Sequence, residues 1–410
     1  MFKDHHSKQM GFDPAKFFIA LVGISALIYL SVSAIIGNGK FADIFFLRCA
    51  DFFMDFFNSI RDAAQGSAVY TERKVIYPPL ANLIFLFFSR FTPERYNNTR
   101  FEERYEWPEY FSTMMLAVIF VTVFAVCFFF LIYSKMQSCS RCTRFLFAFF
   151  ALFSAPVLYM AERGNMILFC LIALLIYAFT YDSQSKLHRE IGIFALAFAA
   201  ALKLYPAIFG WLLIADRRYK DAARCAIYGL LLLIIPSFFF GGPACFAYVF
   251  GNIFSFSTTG TGSTISIICN AIGLPENVAT AINILAYLWV LICGISFAIS
   301  AFVSKENHLT LMLGFLTICC VPSLTSLYTW AFMIIPLTLI CSTRACVRAS
   351  ARAFIIIMSL PFALIPFRIS YHVTPSMVLV YLATAVLSVW MVMDTFLKLR
   401  ALCVKKADTE

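Results

Sequence analysis

The sequence predicts an all-α, polytopic integral membrane protein. Of its 410 residues, 61% are hydrophobic and only 13% charged. The mean hydropathy is +0.84, and the apolar residues fall in long runs separated by short charged or Pro/Gly breaks. That composition excludes a soluble globular domain. The 47 phenylalanines supply lipid-facing and packing mass and carry no information about a substrate.

The runs lie at roughly 17–36, 110–133, 145–160, 165–181, 191–202, 204–215, 225–240, 279–303, 309–322, 328–341, 353–367 and 375–397, which gives about 12 transmembrane helices. Several are shorter than the ~20 residues a free-standing span needs, so they are expected to lean on neighbours or break around a polar cavity. The first run is long and lacks a small-residue cleavage site, so it reads as an anchor and not as a cleavable signal. One transmembrane domain over 1–410 is expected, with a long outer-face region at 37–109 and a cytoplasmic tail at 398–410.

Orientation follows from the lysines and arginines. With the N-terminus inside and the runs alternating, the loops 134–144, 182–190, 216–224 and 342–352 fall on the cytoplasmic side. Lys3, Lys8, Lys16, Lys305 and the tail join them, and the whole formal net charge of +10 then lies inside. This implies a multi-pass protein of the cell membrane with both termini cytoplasmic. The parity requires 77–91 not to cross, because a crossing would turn SKMQSCSRCTR and DRRYKDAAR outward. YPPLANLIFLFFSRF therefore reads as a re-entrant or surface helix of the first outer region.

Fourteen cysteines raise the question of redox or metal chemistry. Cys170, Cys269, Cys319 and Cys320 lie in apolar runs, where cysteine packs as a small hydrophobe. Cys139 and Cys142 have CxxC spacing, but no second pair or histidine cluster accompanies them. No metal site and no cofactor are expected.

The candidate chemistry lies on the outer face. Asp51 and Asp55 stand four apart, on one face of any helix through CADFFMDFFNSIRD, where a carboxylate at the lipid–water boundary is costly and usually functional. They could also form the solvated end of an amphipathic helix beside Arg48 and Arg61. Tyr70 and Tyr77-Pro78-Pro79-Leu80 follow. Glu162-Arg163-Gly164-Asn165 is wedged between two apolar runs, where Arg163 either serves a ligand or snorkels and pairs with Glu162. Lys203-Leu204-Tyr205-Pro206 interrupts an apolar stretch. Proline cannot continue a helix and lysine cannot sit in lipid, so an elbow is expected with its cation in a polar cavity. Ser326-Leu327-Tyr328-Thr329-Trp330, Arg368 and His372 complete the set. His372 near Arg368 suits no metal site.

This order resembles the GT-C superfamily of membrane glycosyltransferases, and within it the bacterial family that includes polyprenol-phosphate-mannose-dependent alpha-mannosyltransferases. The likeness covers the acidic first outer loop, the YPPL segment, the RGN turn and LKLYPAIFGWLLIADRRYKDA. It implies an outer-face active site, a polyprenyl-phosphate sugar donor, a glycolipid or glycan acceptor, and a catalytic Asp in the first outer loop. The match falls best on Asp51. Asp55 stands where relatives more often carry an aromatic residue, so the choice between the two stays open. Tyr328 and Phe332 flank Trp330 where relatives often have a histidine nearby.

The residue types suit that chemistry independently. A carboxylate can take the proton of an acceptor hydroxyl. An anionic lipid phosphate leaving group needs cations at the membrane surface, and Arg163, Lys203 and Arg368 are the basic residues placed at outer turns between spans. Tyr77, Asn165, Tyr205, Trp330 and His372 are expected to line the substrate cavity. No glycine-rich nucleotide loop, HExxH or serine elbow appears, and no nucleic-acid partner is implied. The competing functions are a polysaccharide polymerase or ligase and a lipid-linked sugar flippase or transporter. Neither a repeated half nor a large late outer loop is present to favour them.

Overall fold

Local rules decide where each helix starts and stops. The computed structural model describes residues 12–36, 52–97, 111–258, 272–304, 307–323, 327–343, 349–367 and 374–407, together with Ser266 and Cys269. The described elements are α-helices and short 3₁₀ turns, with no strand among them. In chain order they are α1 (Pro14–Ile36), α2 (Met54–Ala63), α3 (Ala68–Thr71), α4 (Pro79–Ser89), α5 (Glu94–Asn97), α6 (Phe111–Lys135), α7 (Arg141–Leu152), α8 (Ala155–Arg163) and α9 (Ile167–Thr180). These are followed by α10 (Lys186–Leu202), α11 (Gly210–Ala215), α12 (Tyr219–Ser237), α13 (Cys245–Thr258), α14 (Glu276–Val303), α15 (Asn307–Cys320), α16 (Ile334–Thr343), α17 (Ala349–Ser359) and α18 (Pro375–Ala407).

Each expected apolar run carries helix, but length separates them. Among the described residues five helices (α1, α6, α12, α14 and α18) are long and apolar enough to cross a membrane, and a sixth span arises if α7 and α8, bent by 49°, count as one. The other apolar helices have 10–17 residues. The chain is thus an all-helical, multi-pass membrane protein in which many helices cannot span unaided. At 11 residues, α4 is about 16 Å long and too short to cross by itself.

The short helices are the buried ones. In α9, nine of the 14 residues are buried, and it packs against α6, α8, α10 and α16. The long helices α12 and α14 instead leave Leu230, Leu231, Ile235, Leu285, Leu288 and Leu291 exposed, which suits a lipid-facing shell around a protein-facing centre. The first region folds onto this centre. Phe56 is fully buried, and its ring meets those of Phe85, Phe88 and Phe120 at 4.9–6.0 Å, joining α2 to α4 and α6.

Two breaks set up the site. The helix α8 begins with Pro156 in its first turn and ends at Gly164, whose φ of 62° gives the left-handed cap that glycine supplies without steric cost. The helix α10 begins at Ser185, whose side chain accepts from the His188 amide. It stops where Lys203 turns extended, at φ −144°, and Pro206 in the following 3₁₀ turn prevents its resumption.

Candidate active site

Gly164 permits an unusually close approach. A Cβ built on it would lie 2.8 Å from Cβ of Phe56 and 3.2 Å from the Phe53 ring. Phe53 itself is left-handed, at φ 58°, and its amide donates to the Glu162 carbonyl at 2.8 Å. The start of α2 is therefore docked directly on the RGN turn. That docking delivers Asp55, in the first turn of α2, to residues more than a hundred positions away. Arg163 donates to Asp55 Oδ1 at 2.5 Å, and Asn165 Nδ2 donates to Oδ2 at 2.7 Å. Asn165 is fixed in turn, because its Oδ1 accepts from the amide of Ile167, the first residue of α9, at 3.0 Å.

Lys203 comes to the same place from the elbow after α10. Its ammonium lies 4.0 Å from the centroid of the Tyr77 ring, a cation–π contact. Burial pushes that ammonium down to about 8, against the opposing pull of the Asp55 carboxylate. Tyr77 joins the two halves, with its ring under Lys203 and the Asp55 carboxylate and Arg163 guanidinium near enough to act on its phenol. Burial, followed by the negative Asp55, raises the Tyr77 phenol well above its ordinary value, so it stays protonated. Tyr159 and Tyr328 stack at 6.1 Å and 13° on the far side, and Tyr205 packs edge-on to Phe332 at 5.9 Å. Asp55, Tyr77, Tyr159, Arg163, Lys203, Tyr205 and Tyr328 are all half-buried.

The structure thus brings together Asp55, Tyr77, Arg163, Asn165, Lys203 and Tyr205. It does not bring Trp330 to them. Trp330 is fully buried and donates from Nε1 to the Met358 carbonyl at 3.2 Å, which makes it a core residue instead of a cavity wall. Its neighbour Tyr328 faces the site. Asp51, Arg368 and His372 lie outside the described residues. Sequence reasoning did not single out Tyr159 as a site residue, although its position four before Arg163 puts both on one side of α8. Among the described residues no group of three or more His, Cys, Asp or Glu could hold a metal ion. An apolar groove of about 620 Å³ lies between α1 and α7, and no candidate site residue lines it.

The cluster is a carboxylate aimed by one guanidinium and one amide, with a second cation close by and aromatic walls around them. Such a set can accept a proton and hold an anion at one place. The sequence model described as Glycosyltransferase family 87 matches residues 76–326. That range takes in Tyr77, Arg163, Asn165, Lys203 and Tyr205. No curated protein and no solved structure matches the chain.

Proposed function

We propose a reaction from one premise: the chain belongs to glycosyltransferase family 87. As a multi-pass membrane glycosyltransferase it moves a sugar, of mannose or similar type, from a polyprenyl-phosphate donor to a hydroxyl on a glycolipid or glycan acceptor at the outer face. The observation that supports this most is the Asp55 carboxylate held by Arg163 and Asn165 beside Lys203. Together these residues supply the base and the cations that such a donor requires, with no nucleotide or metal in the scheme. The outward site, the cytoplasmic termini and the count of about twelve passes belong to the same proposal and rest on the distribution of lysine and arginine.

In the proposed step the acceptor oxygen attacks the anomeric carbon as the bond from that carbon to the phosphate oxygen breaks. The hydroxyl proton passes to the carboxylate and the electron pair leaves with the lipid phosphate. Arg163 and Lys203 stabilise the charge that grows on the phosphate, and they act more strongly in a half-buried site than they would in water. Asp55 is the base in this scheme. A second assignment keeps Asp51 as the base and gives Asp55 the task of aiming Arg163. The observation in its favour is that both Asp55 oxygens already accept hydrogen bonds.

The test is transfer by purified protein from a polyprenyl-phosphate sugar with no ion gradient, using Asp55→Asn and Asp51→Asn. We expect wild-type turnover, and loss with Asp55→Asn of roughly a hundredfold or more, within the range for a positioned base. Loss confined to Asp51→Asn would move the base there. Full activity of both variants, or no wild-type turnover without a gradient, would sink the transferase site as described.

A further inference from the structure

Tyr77 lies on an irregular strap, residues 72–78, between α3 and α4. Such backbone cannot satisfy its own carbonyls, so other groups must do so. Two asparagines and a tyrosine meet that need. Tyr70 Oη donates to the Tyr77 carbonyl at 3.1 Å. Asn82 Nδ2, fully buried on α4, donates to Tyr70 Oη at 2.9 Å and to the Tyr77 carbonyl at 3.3 Å. Asn252 reaches in from α13, its Nδ2 donating to the Tyr70 carbonyl at 3.0 Å and the Val75 carbonyl at 3.2 Å. The same helix packs Cys245 and Val249 against Val69, Tyr70 and Phe240 in a small core separate from the main one.

We propose that Asn252 is a positioning residue for the donor end of the site, clamping the strap that sets the Tyr77 ring beneath the Lys203 ammonium. It acts 177 and 182 residues along the chain from its partners, and its amide donates to the backbone and not to Lys203 or Asp55. Its effect passes through the strap backbone to Tyr77, and from the Tyr77 ring to Lys203 at 4.0 Å. Removing its amide leaves two carbonyls without their donor, and the strap must shift to hydrate them. The ring then moves off Lys203. The titratable groups facing that ammonium are Asp55 from α2, Tyr77 from the strap and Cys170 from α9. Only Tyr77 sits on the clamped segment. The proposal rests on the reading of Lys203 as a ligand of the donor phosphate.

The test is Asn252→Ala in the full-length protein, with two readouts. In kinetics with donor and acceptor varied separately, the donor kcat/KM should fall roughly three- to tenfold, as for loss of a hydrogen bond or two, while the acceptor KM stays within about twofold. Combined with Lys203→Ala, the loss should not exceed that of Lys203→Ala alone, because both changes act on one contact. The second readout needs no transferase activity. Acetylation of Lys203 followed against pH by mass spectrometry should give a midpoint near 8 in the wild type. In Asn252→Ala water replaces the ring over the ammonium, and because burial is the largest influence on Lys203 this outweighs the lost cation–π contact, so the midpoint should move up toward the ordinary lysine value of about 10.4. Asn252→Asp, which keeps the size and loses both N–H donors, should behave alike. An unmoved midpoint, losses that multiply with Lys203→Ala, or failure of both Asn252 variants to fold would overturn the proposal. Failure of wild-type turnover together with the expected upward shift of the Asn252→Ala midpoint would count against the glycosyl-transfer reading and leave the clamp intact.

Discussion

At Lys203 a single ammonium carries much of the expected pH behaviour. Its pKa is lowered from the ordinary lysine value, chiefly by burial, to about 8. The cation is therefore present below that pH and lost as pH rises through it. If it holds the donor phosphate, donor kcat/KM should decline on the alkaline side with a limb near pH 8. Lys203→Arg should move that limb upward, since a guanidinium does not titrate in this range. Lys203→Ala should weaken donor use by about tenfold to a hundredfold, the range for charge-assisted contacts, and leave acceptor use largely intact. A pH–rate profile with the donor below its KM checks all three. An equal loss for both substrates would show that Lys203 holds the elbow together instead.

At the scale of elements, the site depends on how α2 lies across the α8–α9 turn. Gly164 has a positive φ and almost no room for a side chain, so Gly164→Ala imposes about 1–3 kcal/mol of backbone strain. It also pushes against Cβ of Phe56. We expect α2 to be displaced, the Asp55 contacts to lengthen and transfer to be lost, while helical circular dichroism is retained. Phe56→Ala acts on the same joint from within the core, removing a fully buried ring that meets four others. A loss of about 3–5 kcal/mol of stability is expected, read as a lowered midpoint of thermal unfolding in detergent. Transfer activity that survives Gly164→Ala undiminished would mean that Asp55 does not need the α2 docking.

For the whole molecule the main expectation is topological. If 77–91 stays on the outer side, then Glu72 and Glu94, both exposed, flank a helix that does not cross. Cysteines introduced singly at these two positions in a cysteine-depleted background should both react with an impermeant thiol reagent added from outside. Labelling at 72 with protection at 94 would make α4 part of a crossing and would invert the positive-inside parity on which the proposed outer-face placement of the site depends.

The sequence by itself determined the class of molecule, the places where helices lie and most of the residues that meet at the site. Hydrophobicity is a local property that reports lipid or core directly, and proline, glycine and lysine mark breaks wherever they interrupt an apolar run. The elbow at Lys203–Pro206 and the turn at Arg163–Asn165 were legible for that reason. Tertiary structure alone decided that Asp55 meets Arg163 and Asn165, 108 and 110 residues away. It also drew Trp330 into the core, with Tyr328 facing the site in its place, and it supplied the clamp from Asn252. A carboxylate's spacing along its own helix states which face it occupies but not what that face meets. Here the partner was set by a close backbone approach over a single glycine, and such approaches leave no periodic trace in the chain.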